Sequence, residues 1–256
     1  MRPIRLFLAP LAAALLAPLL AAAPLAAQDA LSPAEGAAVD ERIRAYLLEN
    51  PEVILEALEV LEARRQAQAE ATDAALTAEH AEALLDDGYS AVLGDPDGDV
   101  TIVEFIDYRC GYCKRAHPQT RALLEADGNI RLVVKEFPIL GPASLEAARA
   151  AMAALRIAPE RYKPYHDALM RLRGQLDEAA TFRLAEEAGL DPDRLRAAMQ
   201  SEGDAIAAEI RETYDLARAL GIEGTPAFVI GDSILRGLAG PDRMRALIDA
   251  ARDSAG

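Results

Sequence analysis

The spacing of apolar positions changes several times along this chain. Residues 6–27 form one uncharged, Leu/Ala-rich run that follows Arg2 and Arg5. From residue 36 the spacing becomes helical: Val39, Ile43 and Leu47 fall at i, i+4 and i+8. Asn50-Pro51 reads as the N-cap and first position of a second helix. There Glu52, Glu56, Glu59 and Glu62 share an acidic face, and Val53, Ile54, Leu55, Leu58, Val60 and Leu61 cover most of the rest. An apolar arc that wide calls for cover, from its own catalytic domain or from copies of itself. Residues 64–80 are polar and Ala-rich, a solvated helix or a link. If helical from 51 to 80 this segment is about 45 Å long.

Beyond residue 86 short strands and helices alternate. Residues 89–93 read as an edge strand, and Gly94-Asp95-Pro96-Asp97-Gly98 as a turn. Val100, Ile102, Val103, Phe105 and Ile106 make a buried, β-branched-rich strand. Residues 114–126 follow as a helix that Pro118 should kink. The run IRLVVKEF, residues 130–137, is the next strand, and a right-handed crossover makes the two parallel. Residues 142–220 are helical in four periodic runs. The chain returns to strand at 225–230, turns at Gly231-Asp232, runs back over 233–236 and closes with a helix from Gly240-Pro241.

Residues 1–27 have the basic start, apolar middle and small-residue end of a secretory signal peptide. An uncleaved membrane anchor is the alternative, weakened by Pro10, Pro18 and Pro24. Losing two arginines and no acid takes the net charge from −15 to −17. So acidic a chain argues against nucleic-acid partners and anionic membrane surfaces.

An exported chain that used disulfides as staples would carry several pairs. This one has two cysteines, Cys110 and Cys113, placed where the central strand gives way to a helix. A helix start favours an anion, and a thiolate is one. Lowering a thiol pKa from roughly 8.5 to roughly 5 takes about 4.8 kcal/mol. A helix terminus supplies about 0.3–1 kcal/mol, or about 2 when partly buried. Direct donors must supply the rest, Cys113 among them. Cys110, the more exposed, is then the attacking thiolate and Cys113 the resolving thiol.

Half a zinc site is the competing reading, but no third cysteine exists and His80, His117 and His166 show no ligand spacing. Neither a metal nor a cofactor beyond the dithiol is expected. His166, among Tyr162 and Tyr165, reads as a packing or surface histidine. Glu104 is an acid inside the apolar strand, six residues before Cys110. It either faces solvent on an edge or accepts a proton from buried Cys113. Lys135 could pair with Glu104 or face solvent.

The order β-α-β, helical insertion, β-β-α, with C-x-x-C after the first core strand and Thr225-Pro226 before the hairpin, resembles the thioredoxin fold. The fold class expected is α/β, and more narrowly residues 86–256 resemble the DsbA-like exported thiol–disulfide oxidoreductases. That resemblance implies Cys110 as nucleophile, Cys113 as resolving thiol, Glu104 as buried acid and Pro226 as a cis-proline beside the site. The stretch IRAYLLENPEVILEAL resembles the N-terminal region of ScsC, the suppressor-of-copper-sensitivity family, which implies a homo-oligomer, trimer favoured, held by residues 36–63 of an oligomerisation segment and linker that spans 36–80. Gly111-Tyr112 between the cysteines and Thr225 before the proline match the isomerase-like members, and the same resemblance makes these residues contacts for substrate. It implies a periplasmic enzyme acting on exported proteins and reset by a membrane redox partner. A DsbA-type oxidase and a copper(I)-binding or delivery protein using the same cysteines are the alternatives.

Overall fold

The computed structural model describes residues 32–255. The expected signal segment, residues 1–27, lies outside them. The chain divides into two units, with the boundary between Val60 and Leu61.

The first unit is helical. Helix α1 (Pro33–Glu49) starts three residues before the apolar pattern does. Ser32 and Glu35 form a reciprocal capping box, and Pro33 occupies the first helical position. The donors of Asn50 serve α1, not the helix that follows. Its side-chain amide and its backbone N–H both donate to the Tyr46 carbonyl, at 2.9 and 2.8 Å. Helix α2 (Glu52–Glu79) follows at once. No residue of α1 is buried, and Ile43, Tyr46, Leu48, Leu55 and Leu58 are all at least half exposed.

In the second unit, α3 (Ala81–Leu85) leads into β1 (Ala91–Gly94). This strand starts two residues later than expected, because the Asp87 carboxylate accepts from Tyr89 N, Ser90 N and Ser90 Oγ and holds the chain in a turn. It ends at Gly94, whose φ of 74° lies in the left-handed region that glycine tolerates. Then come β2 (Val100–Ile106), α4 (Gly111–Asp127) and β3 (Ile130–Glu136). The inserted helices are α5 (Pro142–Ile157), α6 (Pro159–Arg171), α7 (Glu178–Glu187), α8 (Pro192–Ser201) and α9 (Gly203–Ala219). The chain closes with β4 (Ala227–Ile230), β5 (Ser233–Arg236) and α10 (Pro241–Ala255).

The five strands lie in the order β1-β3-β2-β4-β5. Only β2 and β3 are parallel, as the α4 crossover requires. With β2 central, its alternate side chains feed two cores. Ile102 and Ile106 join a core with Leu123, Tyr165 and Ile248, on the face covered by α4, the insertion and α10. Val103 and Phe105 join the other, with Leu84, Leu216 and Leu220. This alternation places Glu104 beside Ile102 and Ile106, on the face of the active-site helix.

Lys135 takes neither expected position. In the parallel register it pairs with Phe105, so it points to the face opposite Glu104. There it is fully buried, its Nζ donating to Asp87 Oδ2 at 2.5 Å and to the Ala83 carbonyl at 2.6 Å. Removing one partner of a buried ion pair strands the other charge, at a cost of about 3–5 kcal/mol. Urea denaturation of Asp87→Ala should show a loss of that size. Adding Lys135→Met to it should restore part of the loss.

Candidate active site

The turn between β2 and α4 builds the site. Cys110 occupies the N-cap of α4, with its backbone still extended, and its carbonyl accepts the first helical bond from Lys114 N at 3.0 Å. The helix therefore begins at Gly111, three residues before its apolar face does. Buried Asp107 anchors the approach. Its carboxylate accepts from Arg109 N at 2.7 Å, Leu140 N at 2.9 Å and Ser144 Oγ at 2.8 Å. One carboxylate thus ties the cysteine turn to the loop that opens the insertion. An acid directly after an apolar strand was the available signal for this role, and the periodicity reading passed over it.

Cys110 is 7% exposed and Cys113 fully buried, so Cys110 is the more open thiol by a small margin. The Cys110 Sγ lies 3.1 Å from the Thr225 carbonyl, to which the thiol donates. Thr225 leads into Pro226 through a cis peptide bond, and β4 starts only after it, at Ala227. The expected contacts Gly111 and Tyr112 are exposed, and the Tyr112 ring stacks under the Arg115 guanidinium at 4.1 Å.

The two thiols are driven apart. Cys110 is lowered to about 5, first by a hydrogen bond from the Cys113 thiol. The Thr225 side chain and the backbone N–H groups of Cys113 and Tyr112 add to this, against the opposing effect of burial. Cys113 is pushed far up, because its proton is held by Cys110 and because it is buried. The pair therefore keeps one nucleophilic sulfur and one reserve thiol at neutral pH.

Glu104 is buried, and burial raises it to about 8. A second acid on the same face escaped the sequence reading. Glu136 is also raised to about 8 by burial, although it accepts from Tyr108 at 2.7 Å and from Tyr162 at 3.3 Å. Alternation with Ile130, Leu132 and Val134 puts it on the core face, and that period is the signal that could have found it. The Tyr108 hydroxyl also meets His166 Nδ1 at 3.0 Å. His166 is thus a buried member of a polar network, lowered to about 3 chiefly by burial.

The histidines are closer in space than their sequence spacing allowed. His117, His166 and Asp167 bring candidate ligand atoms within 4.8 Å of one another. Yet Asp167 also faces Arg121 and Lys163, each at 3.2 Å, and Tyr108 engages His166 Nδ1. Cations that already neutralise the only carboxylate oppose a further one. The donor set fits a charge-balanced polar cluster better than a metal centre.

A protein-family model described as "Thioredoxin" matches residues 86–250. The chain belongs to the thioredoxin family. Within the family it is DsbA-like, and a model described as "Copper resistance protein ScsC N-terminal domain" matches residues 35–68. A thioredoxin-like oxidoreductase from Silicibacter pomeroyi is 41% identical, with 67% of this chain and 97% of that one covered at a TM-score of 0.64. The thiol-disulfide exchange protein alpha-DsbA2 from Wolbachia pipientis is 29% identical, covering 71% and 96% at 0.68. A linker-deletion mutant of Proteus mirabilis ScsC is 27% identical, covering 89% and 100% at 0.63. Among curated relatives, an Na(+)/H(+) antiporter NhaA 1 from Salinispora arenicola is 35% identical over 141 residues. That match takes in 54% of this chain and 21% of the antiporter, so the chain spans only a small part of such relatives.

The thiol pKa carries a stability consequence. Cys110 ionises near 9 when unfolded and near 5 when folded. Across that window Cys110 binds less proton in the fold than in the unfolded chain, so the contribution of this thiol to stability rises with pH. This contribution is complete above about pH 9 and lost as the pH falls through about 5. Alkylation by iodoacetamide should follow a midpoint near 5 and map to Cys110 alone. Cys113→Ala removes the main donor and should raise that midpoint by about 1–2 units. An unmoved midpoint would assign the shift to the helix terminus.

Proposed function

We propose that this chain is a periplasmic thiol–disulfide oxidoreductase, used as an isomerase on exported proteins. The observation that carries the redox reading is the placement of the pair: Cys110 caps α4 and meets the Thr225 carbonyl beside a cis proline, with Cys113 buried one turn inside, an arrangement that lowers the first thiol and raises the second. Cys110 attacks one sulfur of a substrate disulfide and expels the other as thiolate. Cys113 then attacks Cys110 Sγ, loses its proton and releases the substrate. The products are the Cys110–Cys113 disulfide and a substrate reduced by two electrons. Resolved early, the mixed disulfide ends in reduction. Left to a second substrate thiol, it ends in isomerisation.

Thr225 and cis Pro226 lie against Cys110, and there an extended substrate chain would dock, with Gly111 and Tyr112 exposed beside them. Glu104 is the proposed proton acceptor for Cys113. It shares that thiol's side of the sheet, and with a pKa near 8 it is ionised in only a fraction of molecules at pH 7. No helix among the described residues is long and apolar enough to cross a membrane. The periplasmic assignment rests on the apolar leader and on a relative described as a periplasmic thioredoxin-like protein from Salmonella enterica.

The isomerase reading rests on the first unit. Leu55 is 62% exposed, and its apolar neighbours in α1 and α2 are similarly bare. Such a face calls for cover by copies of itself, and a trimer would raise the local concentration of catalytic thiols. The ScsC-type match over residues 35–68 supports this, and its copper-resistance description keeps copper(I) binding by Cys110 and Cys113 as a second reading. A copper(I) titration of the reduced protein, with Cys110→Ser beside it, separates that reading from exchange chemistry.

Glu104→Gln should slow release of a trapped mixed disulfide and flatten its rise with pH around 8, without moving the Cys110 midpoint. Stopped-flow turnover identical to wild type across that range would remove Glu104 from the mechanism. For the oligomer, deletion should stop at residue 60, because Asp73 pairs with Arg236 and Leu76 packs on the core of the second unit. The truncated chain should be a monomer by light scattering. It should reduce simple disulfides normally and refold scrambled ribonuclease poorly. Equal refolding by both forms would sink the isomerase role of this unit.

A further inference from the structure

Beside the cysteine turn, the start of α4 and the segment after α6 enclose a groove of about 680 Å³. Its lining carries six cationic side chains, from Arg109, Lys114, Arg115, Arg121, Arg171 and Arg173, and no acid. That is a large share of the 27 lysines and arginines in a chain with 42 acids. At random, acids would outnumber bases along such a groove.

Several of these cations are held in place. The Lys114 Nζ donates to the Leu172 carbonyl at 2.7 Å, and Arg109 donates to the Leu140 carbonyl. Arg115 lies over the Tyr112 ring. The nearest acids cancel part of this charge and leave the rest. Asp167 is buried and shared by His117, Arg121, Lys163 and Arg171, and Glu125 is paired with Arg121, which leaves Arg109, Lys114, Arg115 and Arg173 without an acid partner among the described residues. Arg173 is exposed and meets no acid among the described residues. Met170 and Leu172 supply an apolar floor suited to a peptide rather than to a bare ion.

Arg109 directly precedes the nucleophile, and Lys114 and Arg115 lie in the first turns after it. A chain whose cysteine sits at Cys110 therefore runs past these charges. We propose that this groove is a docking surface for acidic peptide segments, and that it selects substrates whose reacting cysteine is flanked by Asp and Glu. Clefts lined by one sign of charge concentrate ligands of the other sign, and they do so more strongly at low salt. The inference rests on exchange chemistry at Cys110 but not on isomerase use or on the oligomer.

The test uses reduced full-length protein and three disulfide-linked peptide dimers, with four Glu, four Gln or four Lys placed at least three residues from the cysteine. Each rate constant is divided by that for reduction by dithiothreitol, which removes the effect of charge on the disulfide itself. At low ionic strength the Glu peptide should react about 10-fold faster than the Lys peptide, a ratio that falls toward 1 in 0.5 M salt. Arg171→Glu with Arg173→Glu should reverse the preference, and Arg173→Gln alone should reduce it. Equal corrected rates for all three peptides, or a preference that survives charge reversal, would overturn the proposal. If none of the three peptides is reduced, it is the exchange chemistry at Cys110 that fails.

Discussion

A thiolate at the mouth of a helix persists only while something donates to it, and here the main donor is the thiol it will later react with. The proton on Cys113 lowers Cys110, and the resulting charge on Cys110 holds that proton in place. The couple is self-reinforcing. It ends when Cys110 becomes part of a disulfide, because a neutral sulfur no longer rewards the Cys113 proton. Reactivity thus passes from one sulfur to the other as the first is consumed. Thr225 supplies the lid of this arrangement, its carbonyl meeting the Cys110 thiol.

Keeping that couple in register needs a rigid floor, and the sheet provides it with unusual polarity. The face beneath α4 carries two buried carboxyls, Glu104 and Glu136, both raised to about 8 by loss of water. Glu136 is held by two tyrosines and belongs to a network that runs through Tyr108 to His166. Glu104 is shifted by burial alone. The first is therefore placed to fix the strand end and the insertion together, and the second is free to change its proton. The opposite face also buries a charge, but as a direct pair, Lys135 with Asp87, which holds α3 and the turn before β1 against the sheet. Asp107 completes the frame by joining the cysteine turn to the loop before α5.

Charge is sorted along the chain as well as across it. An acidic protein keeps a continuous cationic groove beside its nucleophile, while its exposed apolar surface gathers in the helices of the first unit.

The strand periods, the C-x-x-C at a strand–helix junction and the Thr-Pro before a hairpin made the fold and both cysteines legible from the residues alone. Those features depend on local sterics and spacing, which a sequence states directly. Helix and strand ends were less legible, because caps compete: Asn50 could close α1 or open α2, and the hydrogen bonds to Tyr46 decide for α1. Partners were least legible of all. Lys135 and Glu104 were natural to pair on paper, yet a parallel register that sets Phe105 against Lys135 sends them to opposite faces. Glu136, Asp107 and His166 looked ordinary until residues 28 to 58 positions away came to meet them. Sequence decides what a segment can become, since that is a matter of nearest neighbours. Which buried charge meets which donor depends on register and packing, and these exist only once the whole chain has folded.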